Sequence, residues 1–423
     1  MQMMWIANYN LKVTNLINKV ILSMVWFFCF GCGQMERIQG QDDTGWRYAD
    51  SLHRVVFTVD SHTDTPLNFV DEGFDFGEFH SDKDICYDLP KMNVGDIDAV
   101  YFGVFVVQKP LTPENMIKAR DRAIRLYDSI DKVVERYHDK LVYVTTPGAA
   151  YKAEALGKKA IFSGVENGFV IMDQLELIKY FQQRGATYIT LCHSLNNQIC
   201  DSANDTLVFG GLSPFGEKVV KEMNRLGVMI DVSHVSDSSF FDIVKLSKSP
   251  VIASHSCSRA ICDNPRNLSD EMLLQLKQNG GVVQLCILSD YVKKMPANPE
   301  RDKAFGDLWN RFNGYKNLPD SMFKVARAEW NRVDKAYPRQ LATVKDAVDH
   351  IDHMVSVMGI DHVGIGTDFD GGGGLADCRD ATELRLITCE LVRRGYSAED
   401  IRKIWGGNLM RVLQANLDRA ERQ

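Results

Sequence analysis

The sequence predicts an α/β fold: a (β/α)8 barrel of TIM type with a long insertion before its eighth strand. Three observations carry this. Eight short β-branched or apolar runs recur after Asp50, helix-like stretches separate them, and several of those stretches end in glycine just before the next run. Near-continuous apolar runs, rather than clean alternations, suit parallel strands covered on both faces. Eight alternations favour a closed barrel over an open doubly wound sheet.

In chain order the runs are Val55–His62, Ala99–Val107, Ala160–Glu166, Tyr188–His193, Val228–His234, Val251–His255, Gly281–Ile287 and His362–Asp368. The helical stretches begin with Met116–His138, where Ile124, Leu126, Ile130 and Val134 fall at helical spacing. Glu217–Leu226, Ser238–Leu246, Asp270–Gln278, Val344–Met358 and Ala398–Ala415 follow. Gly185, Gly227, Gly280 and Gly359 stand where a glycine ends a helix. The connection from Ile287 to His362 is too long for an ordinary βα loop. Within it, Leu288–Leu341 carries Trp309, Phe312, Tyr315, Phe323 and Trp330 on a charged helical background. A lid, a subunit contact in a homodimer and a plain surface excursion all fit that pattern.

With 45% apolar and 25% charged residues, the composition excludes disordered, collagen-like and multi-pass membrane classes. The net charge is −7 and no basic block occurs, so nucleic acid is not an expected partner. Val20–Gly31 is an apolar run preceded by Lys12 and Lys19, with no acidic residue before Glu36. It is shorter than the roughly 20 residues a spanning helix needs, and its layout is that of a secretory signal. Gly31-Cys32 resembles a lipoprotein box, although Cys29 stands where Leu is usual and Phe30 where a small residue is usual. Plain secretion and a single-pass anchor are the alternatives. The expected organisation is a lipoprotein-type signal peptide over 1–32, a polar tether over 33–50 and one barrel domain over 51–423. A lipid on Cys32 is then the only membrane attachment, in a bacterial cell envelope (periplasmic or lipid-anchored), unless the protein is secreted. Ten cysteines are too sparse for a disulfide scaffold. Cys192 with Cys200, and Cys257 with Cys262, are close enough in sequence to pair, but connectivity is not readable.

Chemistry gathers at the strand ends, which form the active face of such a barrel. They carry His62 with Asp64, Glu166, His193, His234, His255 and Asp368; four of the ten histidines are among them. Imidazole and carboxylate donors without a positioned thiolate suit a zinc-type catalytic site. Two metals need a bridging carboxylate and two ligand sets. His62 and Asp64, two apart on an extended segment, supply one set; His234 and His255 supply the other; Glu166 is the candidate bridge. A hydroxide between the metals is the expected nucleophile, its pKa lowered toward about 7.

The ordered segments VDSHTDTP, GVENG, LCHSLNN, DVSHVS, ASHS with PRNLSDE, and GIGTDFDG resemble the membrane dipeptidase (renal dipeptidase) family, peptidase family M19, of the metallo-dependent hydrolase superfamily. The closing GGNLMRV also fits. The resemblance implies a zinc-dependent dipeptidase with two Zn2+ per chain that hydrolyses dipeptides, including those with a C-terminal D-residue. It implies that His62 and Asp64 bind one zinc, His234 and His255 the other, and that Glu166 bridges both. It further implies that His193 polarises the scissile carbonyl and that Arg266 grips the substrate's C-terminal carboxylate, with Arg259 the competing arginine. Asp368 shuttles the proton to the leaving amine, with Asp370 the alternative, and the family often dimerises. Rival readings are another binuclear amidohydrolase, which usually opens with HxH, and a peptide-binding lipoprotein without catalysis.

His350 and His353, at i and i+3 on a predicted helix, read as a solvated face rather than a metal pair. His362 sits at the wrong end of its strand for the active face. Gly371–Gly374 reads as a mobile loop, not a phosphate loop, because no Lys-Ser/Thr follows it.

Overall fold

The computed structural model describes residues 43–420 apart from 72, 82–84, 314–317 and 319. The expected signal and the Cys32 attachment lie outside the described residues. Nine strands form one parallel sheet: β1 Val59–Thr63, β2 Ala99–Phe105, β3 Leu141–Tyr143, β4 Lys159–Glu166, β5 Ala186–Thr190, β6 Met229–Asp231, β7 Ile252–Ser256, β8 Val282–Leu285 and β9 Val363–Ile365. Eight of them, all but β3, follow one another in chain order around a barrel. The ring closes just beyond β9, where Asp368 N–H donates to the His62 carbonyl at 3.0 Å and Asp64 N–H to the Phe369 carbonyl at 2.9 Å. The fold class is the one the sequence predicts. The strand missed by the sequence reading, β3, pairs only with β4, outside the ring. Its three residues are too few to show a period.

The strands are shorter than the apolar runs suggest, and for a functional reason. β6 stops at Asp231 and β9 at Ile365, so His234 and Asp368 each lie three residues beyond a strand, in turns. The helices expected from Asp270, Val344 and Ala398 start there, whereas those expected from Met116 and Glu217 begin earlier. Thr112-Pro113, Thr146-Pro147 and Ser213-Pro214 each place a capping hydroxyl before a proline at the first helical position. Periodicity alone had started two of these helices three residues late. Gly227 and Gly280 do end helices in the left-handed conformation, at φ 72° and 83°.

Four other expectations are corrected. Residues 43–50, read as tether, belong to the helix Asp43–His53, which buries Ala49, Leu52 and His53. That spacing of three and four residues was hidden among Asp and Gly residues. The final helix runs on past Ala415 to Arg419 and carries a π-turn at Lys403–Gly407 between Ala398–Arg402 and Asn408–Arg419. Gly371–Gly374 is tied down: Gly373 N–H donates to the Asp368 carbonyl at 2.7 Å and Gly374 N–H to the Ile287 carbonyl at 3.0 Å. His350 does not sit on a solvated face; it is fully buried.

The excursion Leu288–Leu341 is helical, with Ser289–Val292, Pro299–Arg311 and Asp320–Ala336. The last two enclose a small separate core of Leu308, Phe312, Ala326 and Val333, while Trp309 and Trp330 stay half-exposed. Tyr315 and the side chain of Phe323 lie outside the described residues. All eight cysteines from Cys86 to Cys389 are free thiols. No helix among the described residues is long and apolar enough to cross a membrane.

Candidate metal centre and active site

The barrel interior is built so that one tyrosine props a histidine. Tyr101, Phe162 and Tyr188 stack inside, with ring centroids of Tyr101 and Phe162 4.5 Å apart. A Cβ at Gly164 would meet the Tyr188 ring at 2.1 Å, so only glycine admits that ring from the neighbouring strand. The Tyr188 hydroxyl then lies 2.7 Å from His62 Nδ1, which leaves His62 Nε2 aimed at the centre.

His62 and Glu166 stand in β1 and β4, and His255 in β7; Asp64, His193, His234 and Asp368 stand on the loops just beyond strands. All seven converge at the upper end of the barrel. His62 Nε2 is 3.3 Å from Glu166 Oε2, 3.7 Å from Asp64 Oδ1 and 4.0 Å from Asp368 Oδ1. His234 Nε2 and His255 Nε2 lie 3.0 and 3.5 Å from Glu166 Oε1, and His193 Nε2 lies 3.9 Å from it. Among the described residues, three groups of potential metal-binding atoms emerge: His62, Asp64 and Glu166; Glu166, His193 and His234; and His62, His255 and Asp368. Glu166 stands in two of these groups, one with each end of the cluster. His234 at φ 73° and Asp368 at φ 61° adopt left-handed backbone, which is uncommon away from glycine and concentrates at functional sites.

Hydrogen-bond accounting fixes one imidazole. The Ser254 hydroxyl donates its single proton to Asp231 Oδ2 at 2.6 Å. His255 Nδ1, 2.8 Å from that hydroxyl oxygen, must therefore be the donor, and His255 Nε2 presents a lone pair. That lone pair lies 2.8 Å from His234 Nε2. Asp231 is held in turn by the backbone N–H groups of Ser233 and Ser254 and by the Thr190 hydroxyl. Sequence reasoning missed Asp231, Ser254 and Tyr188. The available signal was a carboxylate inside the apolar run VMIDV, which is rarely buried without partners.

The donor set fits a bound cation. His62 Nε2 and Asp64 Oδ1 are buried without a hydrogen-bond partner. A Cβ at Gly103 would sit 2.9 Å from Asp64 Oδ1, and one at Gly371 would sit 2.4 Å from Asp368 Oδ1, so glycines keep the cradle open. Burial, then the Glu166 charge, pushes the Asp64 carboxyl well above its usual range. Burial raises Asp368 to about 7 against the pull of His62. Burial disfavours charge on His62, yet Glu166, Asp64 and Asp368 together hold its imidazole up at about 10. Burial also drives His234 and His255 well down, which keeps imidazole lone pairs available.

Two pairs that the sequence left open differ in their contacts. Arg259 spends its guanidinium on Asp237, at 2.6 and 2.7 Å, and on the Asn267 carbonyl. Arg266 is buried over the Tyr291 ring, its Nε without a partner and its Nη2 at 3.5 Å from the His255 carbonyl. Asp370 accepts from Cys86 N–H and the Thr65 hydroxyl, whereas Asp368 faces His62. His193 packs on Phe105 and His234 and keeps 27% of its side chain exposed.

A family model described as "Membrane dipeptidase (Peptidase family M19)" matches residues 46–423. The chain is 29% identical to Dipeptidase verJ of Clonostachys rogersoniana over 371 residues, covering 84% of this chain and 83% of that one. The crystal structure of the probable dipeptidase PvdM from Pseudomonas aeruginosa superposes with a TM-score of 0.79 at 30% identity, covering 90% of this chain and 100% of that one. A metallo peptidase from Rhodobacter sphaeroides, liganded with a phosphinate mimic of the dipeptide L-Ala-D-Ala, shares the fold at a TM-score of 0.66 and 20% identity, covering 85% of this chain and 99% of that one.

Proposed function

The chain belongs to the membrane dipeptidase family, peptidase family M19, and is a metallo-dipeptidase; from that premise we propose that it works with two zinc ions and accepts dipeptides with a C-terminal D-residue. The observation that carries the two-metal reading is the convergence of four histidine Nε2 atoms on one buried carboxylate, Glu166, at 3.0–3.9 Å. His62 and Asp64 would hold one ion, His234 and His255 the other, and Glu166 both. When bound, the pair supplies Lewis-acid polarisation of the scissile carbonyl and activates water near neutral pH.

The remaining work falls to side chains of the chain. Arg266, with an unpartnered buried Nε, receives the substrate's C-terminal carboxylate. His193 donates to the scissile carbonyl oxygen as charge develops there. Asp368, buried beside His62 at the centre, carries a proton on its carboxyl to the leaving amine. Arg266 and the centre fix both backbone ends of the substrate, so the configuration of the second residue is lightly constrained. In the same proposal a lipid on Cys32 tethers the enzyme in a bacterial cell envelope, and the chain works as a homodimer.

Purified protein should carry about two zinc ions and hydrolyse L-Ala-D-Ala, and chelation should abolish turnover. Equal rates on C-terminally amidated dipeptides would contradict the role of Arg266. For the anchor, Cys32→Ser should move the enzyme from the membrane to the soluble fraction.

A further inference from the structure

The conspicuous His350 and His353 pair finds no place in the centre. His353 meets Asp270 at 2.7 Å on a half-exposed edge. His350 is different: it is fully buried on the helix Val344–Met358, and both ring nitrogens are engaged. Ser258 N–H donates to Nδ1 at 3.0 Å, and Nε2 lies 2.7 Å from the Val292 carbonyl. A backbone N–H can only donate and a carbonyl can only accept, so the proton must sit on Nε2. The ring is a neutral staple with a fixed tautomer, and burial holds its pKa below the ordinary value.

What it joins is specific. Ser258 is at the root of the loop that carries Arg266, bridged to Leu268 across that loop. Val292 follows Tyr291, whose ring supports the Arg266 guanidinium with a centroid distance of 5.3 Å. Two asparagines stitch that loop to the helix Ser289–Val292: Asn267 Nδ2 donates to the Tyr291 carbonyl at 2.8 Å and Asn264 Nδ2 to the Asp290 carbonyl at 3.3 Å. The Arg266 side chain leans on Tyr291 and lies 3.5 Å from the His255 carbonyl through Nη2, so its direction depends on how its loop and the helix bearing Tyr291 are placed.

We propose that His350 is a positioning residue for substrate binding: it locks the loop bearing Arg266 to the short helix Ser289–Val292, which bears Tyr291, and so aims the arginine at the substrate's carboxylate. This rests on the reading of Arg266 given above. The test is steady-state kinetics on L-Ala-D-Ala with the metal-loaded full chain, using Arg266→Lys, His350→Phe, His350→Gln and the Arg266→Lys/His350→Phe double variant. Loss of the staple should raise KM about 10-fold with kcat nearly unchanged, as a misaimed binding group does. His350→Gln, which keeps one donor and one acceptor, should recover part of the loss, and zinc content should not change. The double variant should be no worse than Arg266→Lys alone, because the histidine acts through the arginine.

Multiplying effects in the double variant, or a fall in kcat and zinc content in place of the KM change, would overturn the proposal. If Arg266→Lys leaves KM unchanged, the carboxylate reading itself fails. If Arg266→Lys raises KM and His350→Phe does not, only the staple fails. Should His350→Phe not accumulate as folded protein, His350→Asn, whose shorter amide serves one partner only, takes its place with the same expectation.

Discussion

The two ends of the barrel have opposite chemistry. The lower end is filled by Tyr101, Phe162, Met229, Ile252 and Val282 and plugged by Leu409, Met410 and Leu413 of the last helix. The upper end gathers seven ionisable side chains, some of whose buried atoms lack partners. The lower end accordingly contributes stability through apolar burial. The upper end costs stability, because charges taken from water are crowded together without full compensation. Separating the two lets one barrel hold a strained site without unfolding.

The most severe way to break this contrast is at the bridge. Glu166→Gln should lower kcat/KM on L-Ala-D-Ala by more than about 10³-fold, since metal charge stabilisation is worth several kcal/mol. Its melting curve should keep a single cooperative transition. Asp368→Asn should lower kcat by about 10²- to 10⁴-fold, the range of a lost proton-transfer group, with zinc content retained. At the opposite end Leu413→Ala should do the reverse. It should destabilise by about 2–5 kcal/mol in denaturant titration while kcat at 25 °C stays near wild type. A large kcat loss there would show that the ends are coupled.

Asp64→Asn in chelated protein sharpens the comparison. The Asp64 carboxyl is raised in the fold, so the folded state binds more protons than the unfolded chain, and stability falls as pH climbs above the normal carboxylate range. Replacing that carboxyl should raise the stability of the metal-free protein at pH 7 and flatten its pH dependence, even as zinc binding weakens. A lower melting temperature in the metal-free variant would contradict the view that the upper end is destabilising.

Much of this was legible in the linear chain. Runs such as VVFTVDSH and VIASH announce buried parallel strands, and the histidine or carboxylate closing six of the eight runs marks the active face. The ordered motifs suffice for the family. Less legible were β3, too short for a period, and the helix Asp43–His53, whose apolar positions hide among polar ones. The positions of Asp231, Ser254 and Tyr188 behind the histidines were not legible either, because a buried polar residue in a strand has no periodic signature.

His350 marks the limit most clearly. Helical spacing put it beside His353 and suggested a shared face, but its ring points inward to Ser258 and Val292, 92 and 58 residues away. Likewise Arg259 and Arg266 are equivalent as letters and differ only once Asp237 is seen to occupy the first. The sequence by itself determined the strand–helix alternation, the barrel and the donor types, because these follow from local periodicity and side-chain chemistry. Only the tertiary structure decided which donors meet, which tautomers they hold and which arginine is spent on a carboxylate. Those depend on hydrogen bonds between residues distant in the chain, and local periodicity carries no information about them.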